Sequence, residues 1–185
     1  VMVSLIMLWL AMPALADTAA TIGLRRLMKG DVREGIFWHS IARNIEPRNA
    51  VYYWQEGIIW RDQATTLENY DAARKAAKKA DELFLAGINV NPYYDTQNLM
   101  ERIRLHRDNR NLLEQSATFE ELVAWAERMY ARSPYSPFVQ IEYARTLAFA
   151  GKKQEAMLFA KQMQNKYPES QLIKKLIKDL EQGVY

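Results

Sequence analysis

The sequence predicts an all-α protein, a solenoid of about four helical hairpins that follows an apolar membrane or signal helix and ends in a C-terminal capping helix. Three observations favour this fold. Gly23 and Gly57 are 34 residues apart, and so are Pro134 and Pro168, which indicates a repeating unit. Apolar residues recur at three- and four-residue steps, as in residues 70–88. No convincing run alternates apolar and polar residues as a half-buried strand does.

The composition of the chain excludes several classes of protein. A hydrophobic content of 49% excludes a disordered chain, and 185 residues suffice for a core without cross-links. The absence of Cys excludes disulfides, thiolate catalysis and cysteine-ligated zinc or iron–sulfur clusters. With 25 Lys+Arg and 22 Asp+Glu, the net charge is only +3, so we expect no nucleic-acid partner.

The first 16 residues form an apolar segment, VMVSLIMLWLAMPALA, in which Ser4 is the only polar residue. It can be the tail of a transmembrane helix, because a full span needs about 20 apolar residues. It can also be a signal peptide that is cleaved after the Ala-Leu-Ala of residues 14–16, although no basic residue precedes it. A buried core helix is the third interpretation. The basic residues at 25, 26 and 29 favour the cytoplasmic side and count mildly against a periplasmic placement.

The 34-residue spacing resembles that of the tetratricopeptide repeat (TPR), a helix–turn–helix unit. The predicted domain spans residues 17–185, with a cap at 170–182 after four units at about 16–49, 50–94, 95–136 and 137–170. The third unit is the poorest match, because Arg102 stands where the repeat has a small residue.

The elements follow in order from this register. In the first unit, Gly23 allows close helix packing, Gly30 suits a left-handed turn between helices, and Pro47 ends the second helix. In the second unit, Gly57 again allows close packing, and Pro92 follows a long helix.

The later units carry their own signals. Thr118 and Glu121 predict a capping box at the start of a helix in the third unit. In the fourth unit, Ala144 takes the small-residue position and Gly151 the turn. Ser170 is placed to cap the final helix, whose apolar residues Leu172, Ile173, Leu176, Ile177 and Leu180 share one face.

Catalytic chemistry finds little support in the sequence. His39 falls at a repeat position that is usually aromatic, so we expect it to pack. His106 is a candidate general base, but no nucleophile in a recognisable context accompanies it. No phosphate loop, dinucleotide fingerprint or metal-binding motif occurs, so no catalytic residue, metal site or cofactor is predicted. Whether the chain belongs to an enzyme stays open.

A binding groove is easier to predict, because the first helix of each pair lines the concave face of such a stack. The resemblance implies that the second, fifth, ninth, twelfth and thirteenth repeat positions face this groove. In the second unit these are Val51, Trp54, Ile58, Arg61 and Asp62. Over the whole chain, the candidate ligand-binding residues are Trp54, Arg61, His106, Arg107 and Arg145.

An aromatic ring among guanidinium groups suits an acidic peptide, a carboxylate-bearing sugar or a pyrophosphate. The alternative is that Trp54 packs in the core and that the arginines are scattered surface charges.

A second resemblance rests on the order of several segments. They are Asn91-Pro92, RIRLHRD at 102–108, Leu122-x2-Trp125, and EYARTLA at 142–148 followed by Gly151. This order is similar to the soluble C-terminal tail of bacterial O-antigen ligase/polymerase-like membrane proteins. The resemblance implies an extracytoplasmic tail whose catalytic loops lie in a membrane part outside this sequence.

These resemblances predict a non-catalytic interaction domain of a cell-envelope glycan-assembly protein. The alternative is a free-standing periplasmic or secreted TPR adaptor. The expected partner is a protein or peptide, or an acidic glycan or lipid-linked saccharide, with the membrane reached through residues 1–16. The expected location is the bacterial cell envelope.

Overall fold

The structure, a computed structural model, describes residues 2–91 and 96–184, with side chains described from residue 11 onward. Within these residues it is all-α, as the sequence predicts. The helices are α1 (Met2–Met28), α2 (Val32–Ile45), α3 (Ala50–Thr66), α4 (Tyr70–Val90), α5 (Thr96–Asp108), α6 (Phe119–Arg132), α7 (Pro137–Phe149), α8 (Lys153–Lys166) and α9 (Gln171–Gln182), and a short 3-10 turn follows α5 at Arg110–Leu112. The chain divides into two compact units, and the division falls between Glu101 and Arg102.

In the first unit, consecutive helices pack as antiparallel neighbours, α1 on α2, α2 on α3 and α3 on α4. Glycines let the helices approach closely, as the sequence predicts. A Cβ atom on Gly23 would lie 2.8 Å from Cδ2 of His39, and one on Gly57 would overlap the ring of Phe84. Small residues continue this contact, because four of the five residues of the adjoining core are alanines, and the fifth is Tyr52.

Helix α1 joins the predicted apolar segment to the repeat domain without a break at residue 16. Ala16, at the end of that segment, is fully buried in the core of the first unit. No helix among the described residues combines the length and the apolar character needed to cross a membrane. The membrane helix that the sequence predicts therefore has no support in the structure.

In the second unit, α6 packs on α7, α7 on α8, and α9 covers both α7 and α8. The core combines small residues of α7 and α8, such as Ala144 and Ala156, with Ile173, Leu176 and Leu180 of α9. The predicted capping box of α6 is confirmed, because Thr118 Oγ1 accepts a hydrogen bond from the Glu121 N–H at 3.2 Å and the Glu121 carboxylate accepts one from the Thr118 N–H at 2.7 Å.

The turns between paired helices also follow the prediction. Gly30 between α1 and α2 has a φ of 80°, and Gly151 between α7 and α8 has a φ of 83°, the left-handed region that favours glycine. Ser170 occupies the N-cap position of α9, but its side chain makes no capping hydrogen bond. Pro92, and the predicted boundary between units at residues 94 and 95, lie outside the described residues.

Candidate functional site

The first unit contains an open groove between α1 and α3, to which α2 contributes His39. Its volume is about 780 Å³, within the range of about 300–1,000 Å³ that is usual for ligand clefts. The apolar residues that line it are Ala20, Leu24, Leu27, Val51, Ile58 and Ile59. Leu24 and Val51 are exposed, so the groove presents apolar surface to a partner.

The helical repeat explains why these side chains share one surface. Val51, Trp54 and Ile58 follow one another at steps of three and four residues on α3, so they lie on the same face. Ala20 and Leu24 are four residues apart on α1 and face them across the groove.

Three polar atoms of the groove residues are buried without a hydrogen-bond partner among the described residues. They are Nδ1 of His39, Nε1 of Trp54 and Oε1 of Gln55. Such an atom costs about 1–3 kcal/mol of stability. Stable cores usually satisfy such atoms, so each one calls for an explanation, and beside an open groove a ligand that completes the hydrogen bonding is one.

Burial lowers the pKa of His39, because the charged imidazolium is poorly solvated there, and its attraction to Glu56 offsets only part of this effect. The side chain of Gln55 lies near enough to raise the pKa of His39 slightly, although no hydrogen bond of normal geometry joins the two. His39 is therefore neutral at pH 7. As the sequence predicts, it packs in the interior, with 3% of its surface exposed.

Asp17 supplies the one formal charge among the groove residues at neutral pH. Its Oδ1 accepts a hydrogen bond of 2.7 Å from the hydroxyl of Tyr52. Burial and this hydrogen bond raise the pKa of Tyr52, so the phenol stays protonated and acts as a donor. No cation pairs with Asp17 among the side chains that the structure describes.

The second unit holds a different polar cluster, centred on Glu142 of α7. This carboxylate is fully buried and accepts hydrogen bonds from Arg104 Nε, at 2.8 Å, and from Arg107 Nη1. Burial alone would lower the pKa of Arg107, but the carboxylates of Glu142 and Asp108 outweigh it and raise that pKa. The cluster is a paired ionic contact between α5 and α7.

His106 is equally well satisfied. It is 2% exposed, and its Nδ1 accepts a hydrogen bond of 3.0 Å from the backbone N–H of Ala117. The ring also meets that of Trp125 edge to face, with 5.3 Å between the centroids. This geometry fits a packed residue that holds the loop before α6.

The five residues predicted to line one groove fall in both units. Trp54 and Arg61 belong to the first unit, whereas His106, Arg107 and Arg145 belong to the second. Trp54 lines the groove described above together with Val51 and Ile58, as the repeat positions predict. That all five act together stays a prediction.

The three arginines of that prediction are engaged in ion pairs. Arg61 bonds to Asp62, with 2.8 Å between Nη2 and Oδ1, and to Glu101. Arg145 lies 3.3 Å from Asp179, measured from Nη2 to Oδ2. Arg107 pairs with Glu142 inside the second unit.

Sequence reasoning missed Asp17, Leu24 and Leu27 as groove residues, although a signal for them was present. With the first unit starting at Ala16, these residues take the second, ninth and twelfth repeat positions. The rule that selects Trp54 in the second unit would have selected them in the first. His39 and Gln55 carry no such signal, because their role depends on which polar atoms packing leaves unpaired.

A wider depression, of about 900 Å³, surrounds the turn between α7 and α8 in the second unit. Its lining is a nearly continuous run of exposed residues, including Lys152, Lys153 and Lys161. None of its side chains carries an unpartnered buried polar atom among the described residues. The groove of the first unit is therefore the better candidate site.

No family model matches this chain. No curated protein matches it either. Among solved structures, it superposes on a thermophilic TPR protein from Thermus thermophilus with a TM-score of 0.72 and 13% sequence identity, over 89% of this chain and 80% of that one. The chain has a TPR-like fold.

A TPR protein from Parabacteroides merdae is also similar, with a TM-score of 0.49 and 13% identity, over 91% of this chain and 73% of that one. The predicted TPR-like fold is confirmed by the Thermus structure. The comparisons do not show the resemblance to O-antigen ligase tails, which stays a prediction.

Proposed function

We propose that this chain is an interaction domain of TPR-like fold whose first-unit groove binds an extended peptide segment of a partner protein. One observation carries the proposal. An open groove lies at the inner-helix positions of the first two helix pairs, and it combines apolar walls with three unpartnered polar atoms. Helix pairs of this kind present such concave surfaces to their ligands.

The chemistry of the groove matches a polypeptide. Leu24, Val51 and Ile58 offer apolar contact to a side chain of the ligand. The indole N–H of Trp54 is a donor, and the amide of Gln55 can accept through oxygen and donate through nitrogen. A peptide bond offers one acceptor and one donor, so it can pair with both residues.

The unpartnered atoms are covered by their own neighbours in the free protein. A ligand reaches them by rotation of the half-buried side chains of Trp54 and Gln55, a change of rotamer that is common on binding. His39 stays fixed behind them, where it packs against Gly23.

A random peptide-display library tests the proposal. The wild-type chain is expected to enrich a recurring peptide pattern. The double variant Leu24→Ser with Val51→Ser is expected to weaken binding of the enriched peptides about tenfold or more, because it removes two apolar contacts. Leu172→Ser is the matched control, since Leu172 is about as exposed but lies on α9 in the second unit.

Two results would contradict the proposal. The first is a library that shows no enrichment above the background of an unrelated helical protein. The second is a set of enriched peptides that bind the double variant and the wild type equally well. Circular dichroism on each variant shows that the helices are intact.

The placement in the cell envelope is a separate proposal, and it rests on the apolar sequence of residues 1–16. In the version derived from the second resemblance, the chain is the extracytoplasmic tail of an O-antigen ligase/polymerase-like membrane protein. In the alternative, it is a periplasmic or secreted adaptor. The DNA upstream of the Val1 codon separates them, since many preceding spans support the tail and a short basic leader supports the adaptor. A mature N-terminus at Asp17, found by mass spectrometry, would contradict the tail.

A further inference from the structure

We infer that the first-unit groove selects a basic segment, in which a Lys or Arg lies next to an apolar anchor residue. The inference rests on the proposed function and adds the charge of the ligand. This charge is the opposite of the sequence-based expectation, in which Arg61, Arg107 and Arg145 indicated an acidic ligand.

The charge of the groove comes from Asp17 alone. His39 is neutral, and the remaining groove residues carry no formal charge. Tyr52 donates to Oδ1 of Asp17, which leaves Oδ2 free of any partner among the described side chains. Asp17 is exposed, so a cation of the ligand can reach it directly.

The charges near the groove do not cancel that of Asp17. Glu46 accepts a hydrogen bond of 3.2 Å from Nδ2 of Asn49, and it lines a small adjoining recess together with Arg48. Glu46 also lies near enough to Tyr52 to raise the pKa of that phenol, so it adds negative charge beside Asp17. Arg25 and Arg26, on the last turn of α1, do not line the groove.

An acidic ligand would find no counter-charge here. Arg61, the nearest candidate of the sequence prediction on α3, is not a groove residue and is already paired with Asp62 and Glu101. A carboxylate of the ligand would instead face Asp17, and like charges repel. A basic group gains the attraction of Asp17, and the indole ring of Trp54 also favours a nearby cation.

The walls of the groove explain why the ligand should also carry an apolar residue. Leu24 and Val51 are exposed apolar residues on opposite helices, so they contact an apolar side chain rather than a second charge. In a ligand with a basic residue beside an apolar one, the basic group can therefore pair with Asp17 while the apolar side chain contacts Leu24 and Val51.

The experiment uses the peptides that the library enriches against the wild-type chain. We expect Lys or Arg next to an apolar residue to be over-represented in them. For one such peptide, replacing its basic residue by Glu should weaken binding to the wild type about fivefold to tenfold, because an attraction becomes a repulsion. With Asp17→Asn, the same replacement should change the affinity by less than about twofold.

Asp71→Asn is the matched control, because Asp71 is an exposed aspartate of the same unit that does not line the groove. It should keep the full preference of the wild type. Raising the salt concentration should lower the affinity of the basic peptide for the wild type and for Asp71→Asn, with little effect on its affinity for Asp17→Asn.

Enriched peptides that are acidic, or a preference for basic peptides that Asp17→Asn leaves intact, would overturn this inference while the proposed function stands. A library without enrichment, or peptides that bind Leu24→Ser with Val51→Ser at full strength, would overturn the proposed function and this inference with it.

Discussion

Both units pair a buried carboxylate with arginine, Glu56 with Arg43 in the first unit and Glu142 with two arginines in the second. There, Glu142 is fully buried and bonds to Arg104 and Arg107. In the first unit, polar atoms of His39, Trp54 and Gln55 lie beside an open groove and have no hydrogen-bond partner among the described residues. Folding stability favours buried polar groups that are satisfied, so a paired cluster indicates a structural role. Unpaired atoms support a binding surface only where, as here, they also lie beside an open groove.

The two histidines show the same contrast at nearly equal burial, with 3% of His39 and 2% of His106 exposed. His106 accepts a hydrogen bond from the backbone N–H of Ala117, whereas no described residue bonds to Nδ1 of His39. Burial by itself therefore does not distinguish a histidine whose hydrogen bonds are satisfied from one whose hydrogen bonds are not. The hydrogen-bond partners do.

The largest effect is expected at Glu142. Glu142→Gln keeps the shape of the side chain but leaves the buried Arg107 without its main counter-charge, so the free energy of unfolding should fall by about 3 kcal/mol. Asp179→Asn is the control, because its partner Arg145 is partly exposed, and it should cost less than about 1 kcal/mol. Urea unfolding followed by circular dichroism measures both. Equal losses in the two variants would contradict a structural role for the cluster.

The histidine pair comes next. His106→Phe removes the acceptor of the Ala117 N–H and should cost about 1–3 kcal/mol. His39→Phe keeps a ring against Gly23 and removes an unpartnered nitrogen, so it should change stability by less than about 1 kcal/mol. The same unfolding measurement compares them. A larger loss of stability in His39→Phe than in His106→Phe would contradict the difference between the two histidines.

The pH dependence of stability is the third prediction. The pKa of His39 is lowered in the folded state from the ordinary value of 6.5, so the unfolded chain binds the proton more tightly. This contribution to stability is present above pH 6.5 and is lost as the pH falls below it, by at most about 1.4 kcal/mol per pH unit. Unfolding at pH 7.5, 6.5 and 5.5 should therefore show a smaller loss in His39→Phe than in the wild type. Parallel losses in the two proteins would rule out His39 as the cause.

The smallest effect on stability is expected at Asp17. In Asp17→Asn, the amide oxygen still accepts the hydrogen bond of Tyr52, and the side chain is exposed, so the loss should be less than about 0.5 kcal/mol. The melting temperature in circular dichroism measures it. A loss as large as that of Glu142→Gln would show that Asp17 serves the fold rather than the ligand.

Much of the fold is predictable from local patterns. The spacing of Gly23 and Gly57, the turn glycines Gly30 and Gly151, and the capping box of α6 each depend on a few neighbouring residues. Local sequence determines such features, because helix periodicity and backbone conformation act over a few residues. The groove positions of α3 follow from the same repeat.

The ion pairs are not predictable in this way. Arg61 and Glu101 are 40 residues apart, and Arg107 and Glu142 are 35 residues apart, on different helices. The sequence places these arginines at groove positions but does not say which carboxylates reach them. The acidic ligand was therefore inferred from charges that the fold pairs internally.

The sequence by itself determined the helices, their pairing into repeats and the close contacts of glycine and alanine, because these depend on period and side-chain size. Only the tertiary structure decided which polar groups are paired. It paired Arg61, Arg107 and Arg145 with carboxylates. Among the described residues, it left Nδ1 of His39 without a hydrogen-bond partner and Asp17 with the Tyr52 hydroxyl but no cation. The physical reason is that pairing depends on distance and orientation between helices, which the order of residues along one helix does not contain.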